Sequence, residues 1–152
     1  MNIEEWGLIG IFIAGAIPWM EAIAVVPTGI ILGLDPIATV IAAVLGNATT
    51  ILIFAYLGST IRAKIVERRV AKGKTSESPK FEKALMAFDR YGIYGMAFLG
   101  PIIIGTQFAA AASVAAGVRP LRVSILITSS MILWASAIAA AMVVFDLSFE
   151  LI

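Results

Sequence analysis

The 152-residue chain contains no cysteine and no histidine. Without cysteine there is no disulfide framework, no thiolate nucleophile and no sulfur-ligated metal. Without histidine there is no general base that titrates near neutrality by default, and no imidazole ligand for zinc or haem. Charge is scarce as well: Asp, Glu, Lys and Arg make up 14% of the residues, against about 25% in an ordinary soluble domain. The net charge of +1 argues against nucleic-acid binding. What is present is apolar: 61% of the chain is hydrophobic and its mean hydropathy is +1.00. A soluble domain of this size cannot enclose that much apolar surface, so the composition predicts a small integral membrane protein and not an enzyme. No glycine-rich phosphate loop, paired catalytic carboxylate or metal-ligand cluster is present, and no cofactor is expected.

The few charges divide the chain. Residues 6–20, 22–34, 36–61, 91–118 and 123–145 carry none. A transmembrane helix needs about 20 apolar residues, so 36–61 and 120–145 read as membrane-crossing helices. The leader carries Glu4 and Glu5, no basic residue and no clear cleavage site, and reads as mature protein. The segment 62–90 is the one long polar stretch, with a loop composition at 71–78. Ser78-Pro79 then has the form of an N-cap followed by proline at the first helical position. Phe81, Ala84, Leu85 and Phe88 fall on one face, which predicts an amphipathic helix lying on the bilayer. A soluble helix packed on its own loop is the alternative.

All eleven Lys and Arg residues lie between Arg62 and Arg122. The positive-inside rule puts 62–90 and 119–122 in the cytoplasm and both termini outside. Segment 91–118 then begins and ends on the cytoplasmic side, and residues 3–34 begin and end outside. Each is interrupted near its middle, by Pro18-Trp19-Met20-Glu21 in one and by Gly100-Pro101 and Gly105-Thr106 in the other. The expected fold class is an all-α integral membrane domain, 1–152, of two inverted-topology repeats. Each repeat is a re-entrant helical hairpin (3–34, 91–118) plus one transmembrane helix, with the amphipathic helix between the repeats. Gly33-Leu34-Asp35-Pro36 and Gly117-Val118-Arg119-Pro120, 84 residues apart, punctuate the two hairpin ends alike. A plain bundle of four or five spans kinked at Pro18, Pro27 and Pro101 accounts for the same hydropathy.

Glu21 is the one acid inside a hydrophobic block, and a charge at mid-bilayer costs roughly 2.5–3.5 kcal/mol. It is therefore the candidate proton or cation site; a carboxyl capping a short interfacial helix is the structural alternative. Thr106 and Gln107 stand at the tip of the second hairpin, and Asn47, with Thr49 and Thr50, at mid-depth in 36–61. These residues, with Glu21, are the candidate substrate and proton site, although Asn and Thr serve equally as interhelical hydrogen-bonding groups. Pro18, Pro27, Pro101 and Gly105 are the candidate hairpin breaks. The alanine-rich run 109–116 reads as a close-packing face.

The elements Pro18-Trp19-Met20-Glu21, Pro27-Thr28-Gly29, Gly46-Asn47, Phe88 to Gly92, Phe98-Leu99-Gly100-Pro101 and Gly105-Thr106 resemble the small multidrug export family. That family is itself similar to the DedA/VTT superfamily. The resemblance covers nearly the whole chain. It implies two re-entrant hairpins meeting at midplane, a homo-oligomer such as a dimer, and residence in a prokaryotic plasma membrane. It also implies movement of an amphipathic substrate, a polyprenyl phosphate, phospholipid or hydrophobic small molecule, with Glu21 at the matching acidic position. Phe98 and Ile104 stand where DedA members carry arginines in the second hairpin. Two rival functions follow from the residues: a cation or drug–proton antiporter of the small-multidrug-resistance type, and a structural subunit that transports nothing.

Overall fold

The computed structural model describes residues 3–18, 20–74 and 78–145. Among them there are six helices and no strand: α1 (Ile3–Ala16), α2 (Ala22–Ile31), α3 (Pro36–Ala71), α4 (Pro79–Ile103), α5 (Thr106–Ala115) and α6 (Pro120–Val144). Trp19 and residues 75–77 of the expected break and loop lie outside the described residues.

The helix ends follow from local chemistry. Asp35 caps α3: its Oδ1 accepts the Ala38 N–H at 2.8 Å, and Pro36 occupies the first helical position, where no N–H is needed. Ser78 does the same for α4, its Oγ accepting the Phe81 N–H at 3.2 Å ahead of Pro79. Glycines at positive φ close the helices. Gly33 (φ 80°) and Gly117 (φ 95°) follow α2 and α5, each in a Schellman motif. The Gly33 and Gly117 N–H groups donate to Ile30 and Val114 carbonyls, both at 2.9 Å, and those of Leu34 and Val118 donate to Gly29 and Ser113, both at 3.1 Å. α2 and α5 are each 10 residues long, and each is followed by a helix that opens on proline, Pro36 or Pro120.

Among the described residues, two helices contain stretches long and apolar enough to cross a membrane, Pro36–Thr60 and Pro120–Val144, 25 residues each. Only 39% and 28% of those windows is buried, whereas the core helix of a soluble protein would be mostly enclosed. Large apolar side chains are correspondingly exposed, Ile37 at 72% and Leu32 at 71% among them. α3 does not end where its apolar portion does. It continues as helix to Ala71, with Arg68 and Arg69 in its last turn, so the first part of the polar segment is helical and not loop.

The interruptions fall at 17–21, between α1 and α2, and at Ile104-Gly105, between α4 and α5. Pro18 lies in the first of these and Gly105 in the second. Pro27 lies inside α2 and Pro101 inside α4, so neither marks a break. A proline within a helix removes one N–H from the ladder, and packing around it can hold the helix together.

An interruption absent from the hairpin scheme falls in α4. Gly92 adopts φ 62°, ψ −170°, outside helical space, and divides the helix into arms 79–91 and 93–103. Lys80 and Lys83 of the first arm line one cleft with Ile103 and Ile104 at the end of the second. Lys80 and Ile104 stand twelve residues either side of Gly92. At 1.5 Å per residue each arm is about 18 Å long, so residues at their far ends can share a cleft only if the arms fold back at an acute angle. The amphipathic helix is thus one arm of a helical V, and the expected boundary at residue 90 moves to Gly92.

The chain packs as two compact units. The first comprises residues 1–50 and 128–152, the second 51–127. α1 packs on α2 in the first, and α4 on α5 in the second. The first core gathers Ile11, Val26, Ile30, Val44, Met131 and Ala135; the second gathers Ile51, Phe81, Met96, Ala110, Val123 and Ile127.

Candidate functional site

In the first unit, glycine sets how closely the helices approach. A Cβ on Gly46 would strike the Phe12 carbonyl oxygen, and one on Gly15 would strike that of Ala43. α1 and α3 therefore cross with their backbones in contact, the arrangement that small residues permit in membrane helices. Gly29 of α2 is held as closely against Thr39 of α3. These crossings set the α1–α2 interruption against the middle of α3.

Glu21 sits in that interruption, at the N-cap position of α2 with extended backbone (φ −62°, ψ 150°). Its carbonyl accepts the Ala24 and Val25 N–H groups at 2.9 and 3.1 Å. Its carboxylate makes no cap to the helix it precedes. Instead Oε2 accepts a hydrogen bond from Nδ2 of Asn47, 26 positions away in sequence, at 3.4 Å. Glu21 is half-buried and Asn47 fully buried. The structure thus joins two of the four site residues expected from sequence.

The neighbouring hydroxyls behave differently. Thr50 Oγ1 donates to the Asn47 carbonyl at 2.9 Å, and Thr49 Oγ1 to that of Leu45 at 2.9 Å. Both are turned onto their own helix, a use of threonine that the sequence does not distinguish from lining a pocket.

Thr106 and Gln107 belong to the second unit, where they open α5 after Gly105 (φ 100°). Both are buried, at 0% and 1% exposure. The alanine-rich stretch explains how: Ala109, Ala110 and Ala112 are fully buried, and a Cβ on Gly100 would lie 2.7 Å from the Ala109 methyl.

Among the described residues, three buried hydroxyls, Thr39, Ser113 and Ser130, have no hydrogen-bond partner. They were not among the expected site residues, and an isolated Ser or Thr in an apolar run carries no signal that distinguishes it from a helix-satisfied one. Gly15 is equally silent in sequence, being one of several glycines in an apolar helix. Among the described residues no three acidic side chains gather where they could hold a metal ion. Comparison of the chain with protein-family models, with curated proteins and with solved structures finds no match.

Proposed function

We propose that this protein is a multi-pass membrane transporter or flippase that moves an amphipathic substrate across the bilayer, linked to proton movement through Glu21. The observation that carries the reading is the Glu21–Asn47 hydrogen bond within an apolar unit. A carboxylate held by a buried amide, in a chain with so few charges, is costly in lipid and is retained where it does work. Carboxyl groups in such surroundings exchange a proton and meet polar or cationic groups of a substrate.

The architecture proposed is two repeats of opposite orientation, each a re-entrant hairpin and a spanning helix. Support comes from the matched ends of α2 and α5. Support for opposite orientation comes from the distribution of Lys and Arg between 62 and 122, which by the positive-inside rule favours a cytoplasmic position for that region and an outside position for the ends of the chain. The prokaryotic plasma membrane is what the family resemblance implies. In this scheme Gly105 takes the place of Glu21 in the second repeat, 84 residues on, and Thr106 and Gln107 supply the polar groups there. The resemblance to the small multidrug export family and the DedA/VTT superfamily fits the same plan, including assembly as a homo-oligomer. A small-multidrug-resistance-type antiporter fits less well, since it needs four full spans, and α1 and α2 are only 14 and 10 residues long.

The test is substrate movement in proteoliposomes with and without a pH gradient, using fluorescent polyprenyl-phosphate, phospholipid and hydrophobic-cation probes. Glu21→Gln removes the titratable proton while leaving an amide oxygen able to accept from Asn47 Nδ2, so it should abolish gradient-dependent transport. Transport by Glu21→Gln equal to that of the unaltered protein would remove Glu21 from the mechanism. No transport of any probe would favour a structural subunit.

A further inference from the structure

We propose that the second unit holds a binding cleft for the headgroup of an anionic bilayer lipid, formed where the two arms of α4 fold back about Gly92. The cleft is lined by Lys80, Lys83 and Ala87 from one arm and by Ile103 and Ile104 from the end of the other, and encloses about 350 Å³. The inference rests on the bilayer reading above and concerns a site separate from Glu21, for a lipid that is held and not transported.

The lining has two chemistries on opposite sides. Lys80, Lys83 and Ala87 recur at helical spacing, so both ammonium groups project from one face one turn apart. Glu82, between them in sequence, does not line the cleft. The facing wall, Ile103 and Ile104, carries no polar side chain. A free phosphate would have no use for that wall. An acidic peptide would leave backbone groups unpaired against it, which is costly. A phosphodiester headgroup with its glycerol and the first methylenes of its acyl chains satisfies both sides. The volume lies at the small end of ligand sites, about 300–1,000 Å³, so it suits a headgroup with its chains continuing outside.

The fold supplies the reason such a ligand would reach the cleft. An arm with Phe81 and Ala84 buried and Lys80 and Lys83 exposed lies along a polar–apolar boundary. Basic groups on amphipathic helices at the cytoplasmic surface attract anionic lipids, each contributing about 1 kcal/mol, or roughly fivefold. The acute bend at Gly92 adds what an open amphipathic helix lacks, a second wall.

The experiment is native mass spectrometry of the purified full chain in detergent, titrated with phosphatidylglycerol or phosphatidylcholine. The unaltered protein should retain phosphatidylglycerol in preference. In Lys80→Gln/Lys83→Gln that preference should fall by about tenfold or more. It should persist in Lys80→Arg/Lys83→Arg and in Lys72→Gln/Lys74→Gln, which removes equal charge from the turn after α3. Excess inorganic phosphate should not displace the lipid. Equal losses in the cleft and turn variants, no initial preference, or displacement by phosphate would each overturn the proposal. Vesicle flotation of the unaltered protein separates the two readings: a protein that does not enter bilayers refutes the membrane assignment itself, whereas one that enters with no headgroup preference refutes only the cleft.

Discussion

Glycine has two unlike roles along this chain, and neither can be read from its occurrence alone. Gly10 and Gly46 both sit in apolar helices. A Cβ on Gly10 meets nothing within 4 Å, whereas one on Gly46 runs into the backbone of α1 at Phe12 and Ala16. Gly10→Ala should therefore be neutral or raise stability by up to about 1 kcal/mol through helix propensity. Gly46→Ala should cost about 1–3 kcal/mol, the range for overpacking, and more if the helices cannot separate. Thermal unfolding in detergent checks both, and equal melting temperatures for the two variants would refute the backbone-contact crossing. Because Asn47 adjoins Gly46, the same substitution should weaken the Glu21–Asn47 pair. Glu21 was legible in sequence as the one acid in a hydrophobic block. Its partner was legible only as a polar residue at mid-depth, since a hydrogen bond across 26 positions depends on how α1 and α3 cross.

Helix beginnings followed closely from sequence because their causes are local. Asp35-Pro36, Ser78-Pro79 and Arg119-Pro120 each set a residue that proline biases away from helical ψ before a proline fixed at helical φ, and α3, α4 and α6 begin there. Ser78→Ala should cost about 1 kcal/mol by removing the acceptor for the Phe81 N–H. The loss should show as faster amide exchange confined to the first turn of α4; unchanged exchange there would mean that the cap contributes nothing. Helix interruptions were less legible. Pro27 and Pro101 look like breaks and lie within helices, whereas Gly92 looks unremarkable and divides α4. A proline's missing N–H can be tolerated by neighbouring groups, so its effect is settled by packing. A glycine becomes a break only when the tertiary fold draws it to positive φ.

At the scale of the whole chain, the membrane assignment predicts which positions water can reach. The protein has no cysteine of its own, so single-cysteine variants give an unambiguous signal. In oriented vesicles, Lys74→Cys should react with a membrane-impermeant thiol reagent from the cytoplasmic side only. Met20→Cys and Ile104→Cys, beside the two interruptions, should react with small permeant reagents if these are water-accessible re-entrant tips. Labelling of Lys74→Cys from both sides would refute the orientation. Protection of both tip positions would favour full spans over hairpins.

What sequence alone determined were properties with local or additive causes. Two helices long and apolar enough to cross a membrane followed from summed hydropathy, the proposed orientation rests on the placement of eleven basic residues, and the helix starts followed from capping chemistry. The tertiary structure decided what depends on distance between remote segments. It paired Glu21 with Asn47, turned Thr49 and Thr50 onto their own helix, carried α3 as helix through to Ala71, and folded α4 back about Gly92. The physical reason is range. Hydropathy and caps act within a few residues, while close packing is settled by whether two backbones can touch, and only the assembled helices determine that.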